Sequence, residues 1–165
     1  MNLKMREQRG ITLIALSITV VVMLILASIT IYYSKDLINN AKIQDLSTNM
    51  LLIQAKAKEC VEEANFQKVD IDKADDILLG TKLIGSVAEE PAIKTGKIDM
   101  EKENYYYYLP EDVLTNMGLK NISPEECGYF VVLYDIANIK VEVINTNGYD
   151  GMYTLTEITS LSADE

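Results

Sequence analysis

A chain of 165 residues with 15 basic and 25 acidic side chains carries a formal charge of −10. That length allows one modest domain beside an anchor, and that charge argues against an electrostatic grip on nucleic acid, so no direct nucleic-acid binding is expected. The absence of histidine removes Ser-His-Asp and Cys-His nucleophile pairs, imidazole metal ligands and the usual general base near neutral pH.

Residues 1–10, MNLKMREQRG, set Lys4, Arg6 and Arg9 against Glu7. From Ile11 to Tyr33 the chain then runs without a charge or a proline. At about 1.5 Å per residue a helix over this run spans roughly 35 Å, enough to cross a hydrocarbon core of ~30 Å. The basic flank keeps the amino terminus cytoplasmic and puts the rest outside, with Tyr32, Tyr33, Lys35 and Asp36 at the far interface. The apolar run is too long for an ordinary cleaved secretory signal, and Ile25 and Ala27 make a poor cleavage site. An uncleaved anchor is the plain alternative.

The basic leader ending in glycine, followed by ITLIALSITVVVMLILASITI, resembles the prepilin-type signal of type IV pilins and type II secretion pseudopilins, in the version found in Gram-positive bacteria. The match covers residues 6–33. The resemblance implies cleavage of the Gly10–Ile11 bond by a membrane prepilin peptidase and methylation of the new Ile11 amine. It further implies assembly through an apolar helix that includes Leu13, Ile14 and Ala15. The implied partners are the peptidase, other pilin or pseudopilin subunits, an inner-membrane assembly platform and membrane lipid. A glycine suits the scissile junction on physical grounds, because it breaks helix and leaves the peptide open to a protease. The family usually has glutamate at the fifth mature position, where this chain has Ala15. That departure fits either a minor or tip subunit, or a branch that assembles by apolar packing alone, or an anchored monomer.

Lys35 to Asn65 contains no proline or glycine, and Leu46, Met50, Ile53, Ala57, Val61 and Ala64 recur at helical spacing. One helix from about Ile11 to Asn65 is predicted, its second half laying an apolar stripe on the domain that follows. After Phe66 the segment to Asn104 is loop-like, with a helical turn at Ala74–Leu79. Asp70, Asp72, Asp75 and Asp76 hint at calcium. An EF-hand loop would need an oxygen ligand at Ala74, glycine at Asp75 and glutamate at Thr81, so a solvated acidic loop is the reading instead.

Tyr105–Tyr108 predicts a short strand, with at least one tyrosine pair packed inward rather than forming a ligand platform. A helix then enters through Pro110 and closes at Gly118. YFVVLYDI and IKVEVINT predict two antiparallel strands around a turn near Ala137-Asn138. Asn147-Gly148 and Asp150-Gly151 are two further turn signals, leading into a third strand, MYTLTEI, that ends in a helical turn. The predicted fold is α+β and pilin-like: a long amino-terminal helix packed on a small carboxyl-terminal antiparallel sheet. Its expected divisions are a leader (1–10), an assembly helix (11–34), an amphipathic continuation (35–65) and an extracytoplasmic domain (66–165).

Cys60 lies beside the helix stripe and Cys127 is read as opening the first long strand. The two either form a disulfide or stay as separate buried thiols. Two cysteines cannot make a four-thiolate metal site, and no cofactor, metal or catalytic residue is expected. The function expected is that of a structural subunit, a minor pilin or pseudopilin at the cell surface. The alternative is a membrane-anchored binding or adhesion module that does not polymerise.

Overall fold

The computed structural model describes the backbone of residues 3–84, 95–99, 101, 105–119 and 122–161, and the side chains of these except 3–13, 29–37 and 161. The chain is α+β and divides into two compact units, Met1–Lys42 and Ile43–Glu165. Helix α1 runs Leu3–Phe66 and contributes to both units. It begins earlier than the predicted Ile11, so Gly10 lies within helix rather than in an extended junction. Leu3, Lys4, Met5, Arg6 and Glu7 have good helix propensity, which outweighs one glycine costing about 1 kcal/mol.

The second unit is built on the α1 stripe. Met50, Ile53, Ala57, Val61 and Ala64 are fully buried, while the charged residues between them face out. At Phe66 the helix stops through paired bonds, Val69 N–H to Ala64 C=O (3.0 Å) and Lys68 N–H to Asn65 C=O (3.0 Å). This closure puts Lys68 in a left-handed conformation, φ 54°, where glycine is the usual residue. A single 3₁₀ turn, Ile71–Lys73, and the turn from Ala74 follow; Leu78 N–H closes the latter on Ala74 C=O at 2.8 Å.

Five antiparallel strands form one sheet in sequence order: β1 (Thr81–Lys82), β2 (Tyr106–Leu109), β3 (Phe130–Asp135), β4 (Lys140–Tyr149) and β5 (Met152–Thr154). Strand β2 is displaced by one residue from the predicted Tyr105–Tyr108. Pro110 is therefore the cap before helix α2 (Glu111–Asn116) rather than its first residue. Gly118, φ 82°, ends α2, with Leu119 N–H on Leu114 C=O at 3.1 Å and both leucines buried.

Alternation divides the sheet residues between two clusters. Tyr107, Leu109, Phe130, Val132, Tyr134 and Val143 join the α1 stripe in the main core. On the other face Tyr106, Val131 and Ile144 pack with Leu83 and Ile98 in a second, smaller cluster. Both faces of the sheet are thus covered, whereas the sequence pattern placed only one against the helix.

Two local predictions change. Cys127 closes a short helix, α3 (Pro124–Cys127), instead of opening β3: Ser123 at the cap, Pro124 at the first position and Glu125-Glu126 in the first turn together start a helical turn. Asn147-Gly148 is a bulge within β4, not a hairpin turn. The buried Asn145 side chain holds it, accepting from Asn147 N–H (3.1 Å) and Gly148 N–H (2.8 Å) while donating to Cys127 C=O (2.9 Å). The turn falls at Asp150-Gly151, both at positive φ (49° and 79°), as a two-residue hairpin between Tyr149 and Met152 demands. Helix α4, Leu155–Leu161, follows β5 directly.

Candidate functional site

The first candidate surface is the apolar part of α1. Among residues 14–28 every large side chain is well exposed, from Val22 at 47% to Met23 at 70%, and this exposure runs round the whole helix. The hydroxyls in this stretch are spent locally. Ser17 Oγ donates to Ile14 C=O, Thr19 Oγ1 to Leu16 C=O and Ser28 Oγ to Leu24 C=O, each at 2.8 Å. Such a surface has little to offer water and suits an apolar surround.

Ala15 is exposed and contributes only a methyl, so no carboxylate stands at the fifth position after Gly10. Gly10, Ile11 and Leu13 have helical backbone, with side chains outside the described set. Among the described residues no helix is long and apolar enough to cross a membrane. Residues 14–28 alone fall short of the roughly 20 residues needed, and the two ends of the Ile11–Tyr33 run lie outside the described side chains.

Tyr106, Tyr107 and Tyr134 belong to the core of the second unit. Tyr106 and Tyr107 are buried, Tyr108 is half-buried and Tyr105 is 41% exposed. Tyr107 meets Tyr134 edge to face, ring centres 5.3 Å apart. Its hydroxyl donates to Asp75 at 2.8 Å, and Asp75 pairs with Lys82 Nζ at 3.2 Å. The Tyr134 hydroxyl donates to Leu79 C=O (3.0 Å) and accepts from Leu79 N–H (3.1 Å). Burial pushes both phenols well above the usual tyrosine range, with the Asp75 carboxylate adding to the effect at Tyr107. These hydroxyls tie the 71–83 segment to the sheet and are not poised for proton transfer.

Cys60 and Cys127 are free thiols, both half-buried at the margin of the main core, and the structure does not join them. The Cys127 thiol donates to Ser123 C=O at 3.0 Å. Burial raises the pKa of each, the reverse of what activates a nucleophilic or metal-binding cysteine. Of the four loop aspartates, Asp75 is committed to Tyr107 and Lys82. No grouping of three potential metal ligands occurs among the described residues.

Two open grooves mark the second unit. One, of about 520 Å³, lies along the start of β4 and is lined by Gln54, Lys58, Lys140, Val141, Val143 and Leu155 among others. The other, of about 710 Å³, lies by the end of α1 and includes Asn65, Lys68, Asp70, Tyr105 and Ile136.

Sequence reasoning missed Glu157, whose carboxylate links β5, α4 and Lys97. The signal was Thr154-Leu155-Thr156-Glu157, a capping-box spacing. It also missed the open edge of β4. The chain matches no known family model, no curated protein and no solved structure.

Proposed function

We propose that this chain is a prepilin-type subunit, a minor pilin or pseudopilin. It is cut between Gly10 and Ile11 by prepilin peptidase, methylated at Ile11 and assembled through its apolar helix into a type IV pilus or type II secretion-like filament. The leader stays in the cytoplasm, the helix lies in the membrane before assembly, and the sheet-bearing unit projects outside. The observation that carries this reading is the all-round apolar surface of α1 over 14–28, with its hydroxyls bonded back to its own carbonyls, directly after a basic leader ending in glycine. The α+β second unit, wrapped on the same helix's apolar stripe, is the kind of head that plan requires.

Coexpression with a prepilin peptidase, followed by intact mass and amino-terminal sequencing, tests the reading. The expected product begins at Ile11, carries one added methyl group and sediments with filaments. A chain that keeps Met1 in the presence of active peptidase would overturn it. A chain that is cut but never enters filaments would favour the anchored binding module.

A further inference from the structure

Over Lys140–Val143 strand β4 is paired on one side only among the described residues. On its inner side it pairs with β3 from Asn145 down to Lys140. On its outer side pairing with β5 ends at Ile144, opposite Thr154, because the chain turns into α4 at Leu155. Lys140–Val143 therefore have no outer strand among the described residues. Thr146 N–H donates to Tyr129 C=O at 2.9 Å, which fixes the alternation along β4. Residues 140, 142, 144 and 146 direct their backbone groups to β3, so Val141 and Val143 direct theirs outward. The 520 Å³ groove lies along this same stretch.

We propose that this edge pairs with the same edge of a second copy, antiparallel, about a two-fold axis through Val141. In that register Val141 faces Val141 of the second copy and the two exchange both backbone bonds. Lys140 then stands opposite Glu142 of the second copy, and Glu142 opposite its Lys140. Both charge pairs fall at positions of the narrow type, where Cα atoms are about 4.5 Å apart and side chains meet most closely. Within its own chain Glu142 has Leu133, not a cation, opposite it across β3. The partner of stated chemistry is thus a copy of this chain, selected by a self-complementary Lys-Val-Glu edge.

Other registers fail. An axis through Glu142 sets carboxylate against carboxylate and needs backbone groups that already bond β3. An axis through Val143 runs into residues paired with β5. An unprotected edge would pair with many strands. Here the alternating charges admit one register and repel the other. The proposal does not depend on the filament reading.

The test uses the full-length protein in nonionic detergent micelles, its dimer constant measured by sedimentation equilibrium. K140E and E142K each turn both cross-copy pairs into like charges, and each is expected to weaken the dimer about tenfold. K140E/E142K restores attraction with the polarity reversed and should recover the wild-type constant to within about threefold. Circular dichroism of each variant checks that the fold is retained. The proposal is overturned by a wild-type protein that stays monomeric across the accessible concentrations. It is equally overturned by a dimer indifferent to E142K, as one held by α1 alone would be, or by a double variant no better than the singles. With no peptidase or filament present, any of these failures leaves the filament reading untouched.

Discussion

Replacing Glu157 by glutamine tests the joint between β5 and α4 through both stability and pH. Its Oε2 accepts from Tyr153 N–H at 3.0 Å and Thr154 N–H at 3.1 Å, and its Oε1 takes Lys97 Nζ. In return Thr154 Oγ1 accepts from Glu157 N–H at 3.3 Å, which completes the capping box. Lys97 first, then the two backbone donors, hold the carboxyl down to about 2 against an ordinary 4.5. A shift of that size sets a ceiling of about 3 kcal/mol. One third of the side chain faces solvent, where screening and side-chain entropy erode an ion pair, so a net contribution of about 1 kcal/mol is expected at pH 7.

The sign follows from the folded value lying below the unfolded one. The contribution is complete above about pH 4.5 and disappears as pH falls through about 2. E157Q keeps the shape and removes the charge. Thermal unfolding of the full chain in micelles, followed by near-ultraviolet circular dichroism of its 10 tyrosines, should show a Tm about 4 °C lower at pH 7. At pH 3 the gap should shrink to less than half. An equal gap at both pH values would refute the electrostatic account of this cap.

Substitutions at four further positions probe the fold by the same assay. Gly148→Ala would place a Cβ 2.2 Å from Met152 C=O at φ +59°, so a loss of about 2–4 kcal/mol is expected; a neutral result would mean the bulge is misplaced. Lys68→Gly should stabilise by up to about 1 kcal/mol, because φ 54° at the end of α1 costs a side-chain-bearing residue; Lys68→Ala should bring no such gain. Ile53→Ala removes a fully buried side chain of the α1 stripe and should cost about 3 kcal/mol, whereas Leu52→Ala, half exposed on the same helix, should cost under about 1 kcal/mol.

Periodicity made the α1 stripe legible, since Met50, Ile53, Ala57, Val61 and Ala64 are all buried where a period of 3.6 places them. The β3–β4 hairpin was legible for a similar reason: alternating valines and isoleucines leave one register that buries an apolar face. What escaped depended on contacts distant in sequence. Asn147-Gly148 carries the local chemistry of a hairpin turn, but the Asn145 amide, buried against Cys127 C=O, turns it into a bulge. Tyr106 and Tyr107 face opposite sides of the sheet and are both buried, because Leu83 and Ile98, from segments without clear periodicity, cover the second face. The candidate assembly surface was legible as composition alone. The β4 edge became visible only once β5 was seen to stop opposite Ile144.

Symmetry separates the two contacts proposed for this chain. Pairing at β4 is isologous and closes after two copies, while subunits in a filament repeat one heterologous contact that never closes. The β4 edge therefore cannot supply the axial register of a filament. With Ala15 in place of a carboxylate, no charge at that depth supplies it either. In the proposed filament, register along the axis would then fall to apolar packing of α1, whose described surface over 14–28 is apolar all round. Ala15→Glu puts that deduction to the test. An added carboxylate costs up to about 3 kcal/mol on membrane insertion and replaces no interaction the packed helices use. The expected outcome is less inserted protein and no gain in the fraction assembled, measured by fractionating membranes and sheared filaments. A higher assembled fraction for A15E would show that position 15 still faces a cationic partner, and that register here is electrostatic after all.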